Sequence, residues 1–183
     1  WRMISALWWF CFVRGYWNDL YNWLIYFYRL NPPVDPAVRS IAIGRTGNLA
    51  WLRGETKLAE ELAAEALEVA QQSGDPIAIA MGWYALGQVY SQSDPPRSQE
   101  AYEESLAITR NLGRKWGEGR SLFRVATSAM NNHDLDLAMR YFDEALLLFR
   151  QMGDVWGIYA VVSGKVDVCL RQGNPEEVAA LGQ

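Results

Sequence analysis

His133 is the chain's one histidine, and imidazole both ligates metals and moves protons near neutral pH. It stands in the segment Asn131-Asn132-His133-Asp134, and a metal site needs several convergent ligands that this segment does not supply. The expectation is a turn residue, with no metal. Ser163-Gly164-Lys165 imitates the end of a phosphate-binding loop. Tyr159, however, stands where that loop needs its upstream glycine, and the surrounding pattern is helical. The acidic pairs Glu60-Glu61, Glu103-Glu104 and Glu176-Glu177 could divide acid and base duties only with a cleft to raise one carboxyl's pKa. They recur in the helix B slot instead, which makes them solvated faces or helix-start charges. No nucleophile sits in a recognisable elbow or beside a candidate base. The chain is expected to be non-catalytic and to carry no cofactor.

Composition narrows the remaining classes. With 183 residues, 50% of them hydrophobic and 21% charged, the chain can bury one or two cores. A net charge of -4 argues against direct nucleic-acid binding, which needs a concentrated basic surface. Cys11 and Cys169 lie far apart among apolar neighbours and give no disulfide framework. Two buried thiols and a reducing, cytoplasmic home are expected. The most apolar stretch, Met3 to Val13, is about half the roughly twenty residues a membrane span needs, and Arg2 and Arg14 bracket it. It also lacks a small-residue cleavage site, so neither a membrane anchor nor a signal peptide is expected.

The elements that must position any site come from a repeat. Gly54-Glu55, Ser93-Asp94, His133-Asp134 and Gly173-Asn174 follow one another at intervals of 39 or 40 residues, with Gly15-Tyr16 one period earlier. A second marker, Glu65-Ala66-Leu67, returns as Glu104-Ser105-Leu106 and Glu144-Ala145-Leu146. A third, Gly74-Asp75, returns as Gly113-Arg114 and Gly153-Asp154, and Lys115-Trp116-Gly117 is echoed by Val155-Trp156-Gly157. A period of this length is what stacked helix pairs produce.

Each copy reads as two helices, A then B. In the B helix from Lys57 to Gln71, Leu58, Leu62, Ala66, Leu67 and Ala70 form one stripe at helical spacing. Gly74, Gly113 and Gly153 follow the B helices, where a left-handed closing residue is needed. Asp75-Pro76 and Asn174-Pro175 look like helix starts, an Asx cap followed by a first-turn proline. Ala59, Ser98 and Ala138 share a slot of small residues in helix B, where close approach of the partner helix leaves little room.

The expected fold is all-α, a right-handed superhelix of stacked antiparallel hairpins forming a single repeat domain over 1–183. The hairpins are placed at about 1–37, 38–77, 78–116 and 117–157, with a partial one at 158–183, and both ends are expected to be cut within the array. The small residues, Gly-Asp variants and Ala at these offsets resemble tetratricopeptide repeats of the longer, roughly forty-residue type. Glu103-Glu104-Ser105-Leu106-Ala107-Ile108 and Gly153-Asp154-Val155-Trp156-Gly157-Ile158 look like phrases of the C-terminal repeat regions of bacterial STAND-class signalling ATPases, LuxR-type or maltose-regulator-like. Leu7-Trp8-Trp9-Phe10 through Arg14-Gly15-Tyr16 resembles the entry repeat of those arrays. The chain departs from that pattern at Leu24-Ile25-Tyr26-Phe27-Tyr28, where charged residues are usual, and at His133 and Ser93, which replace the common glycine. No nucleotide- or DNA-binding domain is present in these residues.

In such arrays the A helices line a concave surface. The copies place Trp9, Asn48, Trp51, Trp83, Tyr90, Arg120, Phe123, Thr127 and Asn131 at the slots expected to face it, accompanied by Phe12, Gly87, Met130, Asp167 and Arg171. That composition suits an extended peptide or a small polar ligand. Trp51, Tyr90 and Met130 share one slot, and packing between neighbouring repeats explains them as well as recognition does. Asn48, Arg120 and Asn131 fit a core less easily, because burying them needs partners. Arg110, Arg114, Lys115, Arg120 and Arg124 form a cluster that an acidic partner or plain solvation would explain. Half of the aromatic residues fall in the first thirty positions. They are either an interface to a preceding domain or a repeat end without its neighbour.

Two functional classes follow. One is the sensor or interaction region of a bacterial signalling or transcriptional regulator, binding a protein, a peptide or a small-molecule inducer beside the other domains of a longer parent. The other is a scaffold that only spaces domains.

Overall fold

The computed structural model describes residues 10, 11 and 14–174. Among them are eight α-helices and no strand: α1 (Trp17–Leu30), α2 (Pro36–Leu52), α3 (Thr56–Ser73), α4 (Pro76–Ser93), α5 (Pro95–Asn111), α6 (Lys115–Asn131), α7 (Leu135–Met152) and α8 (Val155–Arg171). They divide between two compact units that meet in sequence at Ser93 and Asp94. The first holds α1 to α4 and the second α5 to α8. In the first, α2 and α3 pair as a hairpin and α4 packs against both. In the second, α6 and α7 pair and α8 packs against both. An A helix seated across the preceding hairpin is the stacking step of a helical-repeat fold.

Local chemistry accounts for the helix starts. Asp35, Asp94, Asp134 and Asp154 each accept a hydrogen bond from the backbone N–H three residues on, and Asp75 accepts from both Ile77 and Ala78. Each cap satisfies donors that the first helical turn cannot. Proline follows the cap in α2 and α5, where its missing N–H costs nothing. The B helices α3 and α7 close on Gly74 and Gly153 in the left-handed region, and Gly113, after α5, has φ +62°. At the turn between helices A and B, Gly54 has φ +77° and His133 takes the same left-handed conformation at φ +64°. Ser93 does not follow: α4 runs through it, and Asp94 caps α5 directly.

The first unit's core is small-residue packing. Ala59, Leu62, Ala63, Ala66, Leu67 and Ala70 of α3 are buried, on a helix packed against both α2 and α4, and the slot shared by Ala59, Ser98 and Ala138 is buried in all three copies. A Cβ at Gly47 would come within 3.3 Å of the Ala59 carbonyl and of Leu62, so α2 and α3 approach closely there. Leu58, expected in the stripe, is only half-buried, and Ala63 takes the inner place.

Helix α1, the B helix of its hairpin, buries just Leu20, Tyr21 and Leu24. Two polar clasps hold it as well. The Tyr21 hydroxyl donates to Glu55, which also accepts from Arg53 Nε at 2.8 Å, and Arg53 Nη1 donates to Asn18 at 2.6 Å. Two turns along, the Tyr28 hydroxyl donates to Glu65 at 2.6 Å, Arg39 pairs with Glu65 at 3.5 Å, and Arg39 also donates to Asn31. The Arg53 guanidinium lies over the Tyr21 ring at 4.5 Å, within cation–π range. Burial and the bond to Glu55 push the Tyr21 hydroxyl up to about 12. The bond to Glu65, reinforced by burial, does the same for Tyr28. Hydrogen bonds from Tyr21 and Arg53 hold Glu55 below the usual carboxylate range.

The second unit is built around aromatic plugs. Phe142 and Phe149 of α7 are buried, and glycines on the flanking A helices make room for them. A Cβ at Gly157 would lie 2.4 Å from the Phe149 ring, one at Gly119 3.1 Å from it, and one at Gly164 2.5 Å from Phe142. The segment Ser163-Gly164-Lys165 is thus helical packing: Gly164 admits Phe142, and Lys165 Nζ pairs with Asp143 at 2.6 Å. Cys169 is buried as expected, whereas Cys11 is half-buried.

Candidate functional site

In the first unit, α2 carries Asn48 and Trp51 and α4 carries Trp83 and Tyr90. All four side chains are half-buried, on two helices that pack side by side. Their buried neighbours on α2, Gly47 and Leu49, face the hairpin partner and the core, which leaves Asn48 at the edge of the seam. The Asn48 Oδ1 atom is enclosed and accepts no hydrogen bond. Ser40 Oγ, two turns earlier on the same helix, is likewise enclosed without a partner. Buried acceptors of this kind are uncommon, since leaving one unsatisfied costs about 1–3 kcal/mol.

In the second unit, Arg120, Phe123, Thr127 and Asn131 lie along α6. The Arg120 guanidinium stacks over the Trp116 ring at 4.7 Å, and the indole N–H of Trp116 donates to Asp154 at 3.2 Å. Trp116 remains 52% exposed. Phe123 sits against the Phe142 ring, centroids 5.9 Å apart, and so belongs partly to the core. The Thr127 hydroxyl donates to the Phe123 carbonyl at 2.8 Å, a bond within its own helix. Asn131 is exposed at the end of α6, and Met130 beside it is buried, as packing would require. Arg171 donates to the Met130 carbonyl and to Asp167, so these two groove candidates on α8 pair with each other. Trp9 and Phe12 lie outside the described residues.

The basic cluster is partly neutralised. Arg110 is paired with both Glu118, at 3.0 Å, and Glu144, and Arg124 lies 5.6 Å from the Phe123 ring centroid. His133 occupies its turn, and no group of three or more metal-ligating side chains occurs among the described residues. No helix there is long and apolar enough to cross a membrane. A cleft of about 290 Å³ opens between Trp17, Asn18, Leu49, Leu52 and Arg53, and none of the predicted groove residues lines it.

Sequence reading missed a polar contact that recurs at three of the four described A helices, α2, α6 and α8. Arg53 reaches Asn18, Asn132 Nδ2 reaches Gln99 Oε1 at 2.8 Å, and Gln172 Nε2 reaches Asp136 Oδ1 at 3.4 Å. In each case a donor just past the end of an A helix meets an acceptor in the first turns of the preceding B helix. The repeat register aligns the donors and the acceptors Asn18 and Asp136, while Gln99 lies about one turn further along its helix, and the residue types vary too much for the pattern to be seen without coordinates.

No family model matches the chain, and no curated protein is similar enough to match. Among solved structures, BtubC (BKLC) from P. vanneervenii is similar at 16% identity, with a TM-score of 0.75 over 98% of this chain and 76% of that one. A Podosopora anserina putative kinesin light chain with nearly identical TPR-like repeats is similar at 13% identity, with a TM-score of 0.71 over 98% of this chain and 90% of that one. The fold is that of TPR-like repeats, all-helical hairpins stacked on their neighbours.

Proposed function

We propose that the chain is a non-catalytic protein-interaction module whose A-helix faces take up an extended segment of a partner protein. The observation that carries this reading is Asn48: a half-buried amide on α2, the helix that carries Trp51 and packs against the helix of Trp83 and Tyr90, whose enclosed oxygen has no donor. Turning the half-buried Asn48 amide outward would bring its oxygen to a peptide N–H laid along α2, and the aromatics of α2 and α4 would hold the peptide's side chains. In the second unit, Arg120 on Trp116 and the exposed Asn131 offer a cationic, amide-bearing face to the same class of partner. The finer role is sensor or interaction region of a cytoplasmic bacterial signalling or transcriptional regulator. There the partner is a protein or a small-molecule inducer, not nucleic acid or membrane, and other domains of the parent read out binding. Its support is the resemblance of the repeat phrases to such regulators.

A spacer without a ligand is the second reading. Phe123, packed on Phe142, and Thr127, bonded to its own helix, favour it for those two positions.

The test begins with an immobilised peptide array, and the strongest-binding peptide is then titrated against wild type and Asn48→Leu. The substitution removes the unsatisfied oxygen, so binding should weaken by about 1–3 kcal/mol while the melting temperature holds or rises. An array that captures nothing, or a Leu variant that binds as wild type does, would sink the proposal.

A further inference from the structure

The outer face of α1 is an aromatic surface that the groove reading leaves unused. Trp23, Tyr26 and Leu30 are more than half exposed and share one stripe at helical spacing. Trp23 stacks on Phe27 at 6.3 Å, and Tyr26 meets Phe27 edge-on at 5.5 Å, so the rings form one ordered patch. The inner face of the same helix is already committed through Leu20, Tyr21, Leu24 and Tyr28.

We infer that this face pairs with the same face of a second copy of the chain, the two α1 helices antiparallel about a two-fold axis. The charges point to that occupant. Asp19 stands on the stripe at its N-terminal end and Arg29 flanks it at the C-terminal end, both exposed. Neither enters an ion pair among the described residues. In an antiparallel pair centred between Trp23 and Tyr26, each Trp23 comes opposite the other copy's Tyr26 and each Asp19 opposite its Leu30, with the flanking Arg29 of that copy one residue away and within reach of the carboxylate. An isologous interface requires this kind of self-complementarity. A surface of one charge sign, such as an anionic membrane, would be attracted at one end and repelled at the other. Fourteen helical residues span about 21 Å. A strip one helix wide at that length falls short of the roughly 800 Å² per partner of a stable interface. The dimer is therefore weak and concentration-dependent.

Sedimentation velocity over a hundredfold concentration range tests this with the whole chain. Wild type should shift from monomer towards dimer. Asp19→Arg and Arg29→Asp should each weaken association about tenfold, because each sets like charges opposite one another. The double exchange, Asp19→Arg with Arg29→Asp, should restore association, since the new Arg meets the new Asp across the axis. All three are exposed-surface changes, and circular dichroism checks that the helices persist. A monomer throughout the range overturns the inference, as does a dimer indifferent to the single exchanges or a double exchange no better than the singles. Vesicle co-sedimentation of a chain that stays monomeric would assign the face to lipid instead. Loss of peptide binding at Asn48 leaves these outcomes unaffected, so the two proposals fail separately.

Discussion

The two units carry the same repeat pattern and hold it together by different chemistry. In the first, α1 is fastened by two tyrosine–glutamate–arginine clasps over a core of alanines and leucines. In the second, the phenylalanines of α7 fill notches left by glycines on α6 and α8. The repeat fixes where a helix must be approached closely; it leaves open whether polar pairing or shape completes the contact.

The largest expected effects come from breaking the shape-based contact. Phe149→Ala should destabilise the second unit by about 3–5 kcal/mol, the usual cost of emptying an aromatic core site. Gly157→Ala alone should cost about 1–3 kcal/mol by overpacking against the ring. The double substitution should cost less than the two together, because the added methyl then enters the space the ring vacated. Urea melts of the four proteins give the coupling, and strict additivity would show that Gly157 and Phe149 do not share a notch.

The polar fastening should break more gently site for site, and with a pH signature. Tyr21→Phe with Tyr28→Phe removes two hydrogen bonds to carboxylates, each worth about 1.5–3 kcal/mol. Both hydroxyls have raised pKa values in the fold, so their stabilisation is complete below the unfolded value near 10 and is lost as pH rises through about 12. Wild type should therefore lose α1 protection in that window, read by hydrogen exchange, and the double variant should have little left to lose. Equal alkaline sensitivity in both would remove the clasps from the comparison. Glu55 works in the opposite direction: its pKa is lowered, so its contribution is complete above the unfolded glutamate value and is lost as pH falls through the folded one.

The smallest effect lies at His133, where a Cβ is held at φ +64° in a slot that Gly54 and Gly173 fill elsewhere. His133→Gly should raise stability by about 1 kcal/mol by relieving the left-handed strain. A lower melting temperature would mean that the imidazole contributes a contact worth more than that strain.

Much of this organisation can be read from spacing. The glycine that closes α3, the Asp caps, and the shared slot of Ala59, Ser98 and Ala138 all follow from periodicity, since each is a backbone demand with few permitted residues. Ser93 shows the limit of that reasoning. The register asks for a left-handed turn there, but Asp94 and Pro95 start α5 without one, and the two units divide at that point. The clasps escape sequence reading because Tyr21 and Glu55, or Tyr28 and Glu65, belong to different hairpins and nothing local marks them as partners. The groove candidates are legible as positions on a helix face but not as states. Asn48 and Thr127 occupy the same slot one unit apart, yet one has an unanswered acceptor and the other bonds to its own backbone.

The donor that trails α2, α6 and α8 has a consequence for how such a chain can change length. Arg53, Asn132 and Gln172 differ chemically, as do Asn18, Gln99 and Asp136, yet every one of the first group can donate and every one of the second can accept. Any donor in the set would satisfy any acceptor in it. Duplicating or deleting a whole period between two A helices that carry the donor therefore rejoins a working pair at the new junction, whereas a gain or loss of any other length strands a donor on one side and an acceptor on the other. At those junctions the seam tolerates inheritance by whole repeats, because this generic pairing lets copies diverge in residue type and, as Gln99 shows, by about a turn in position.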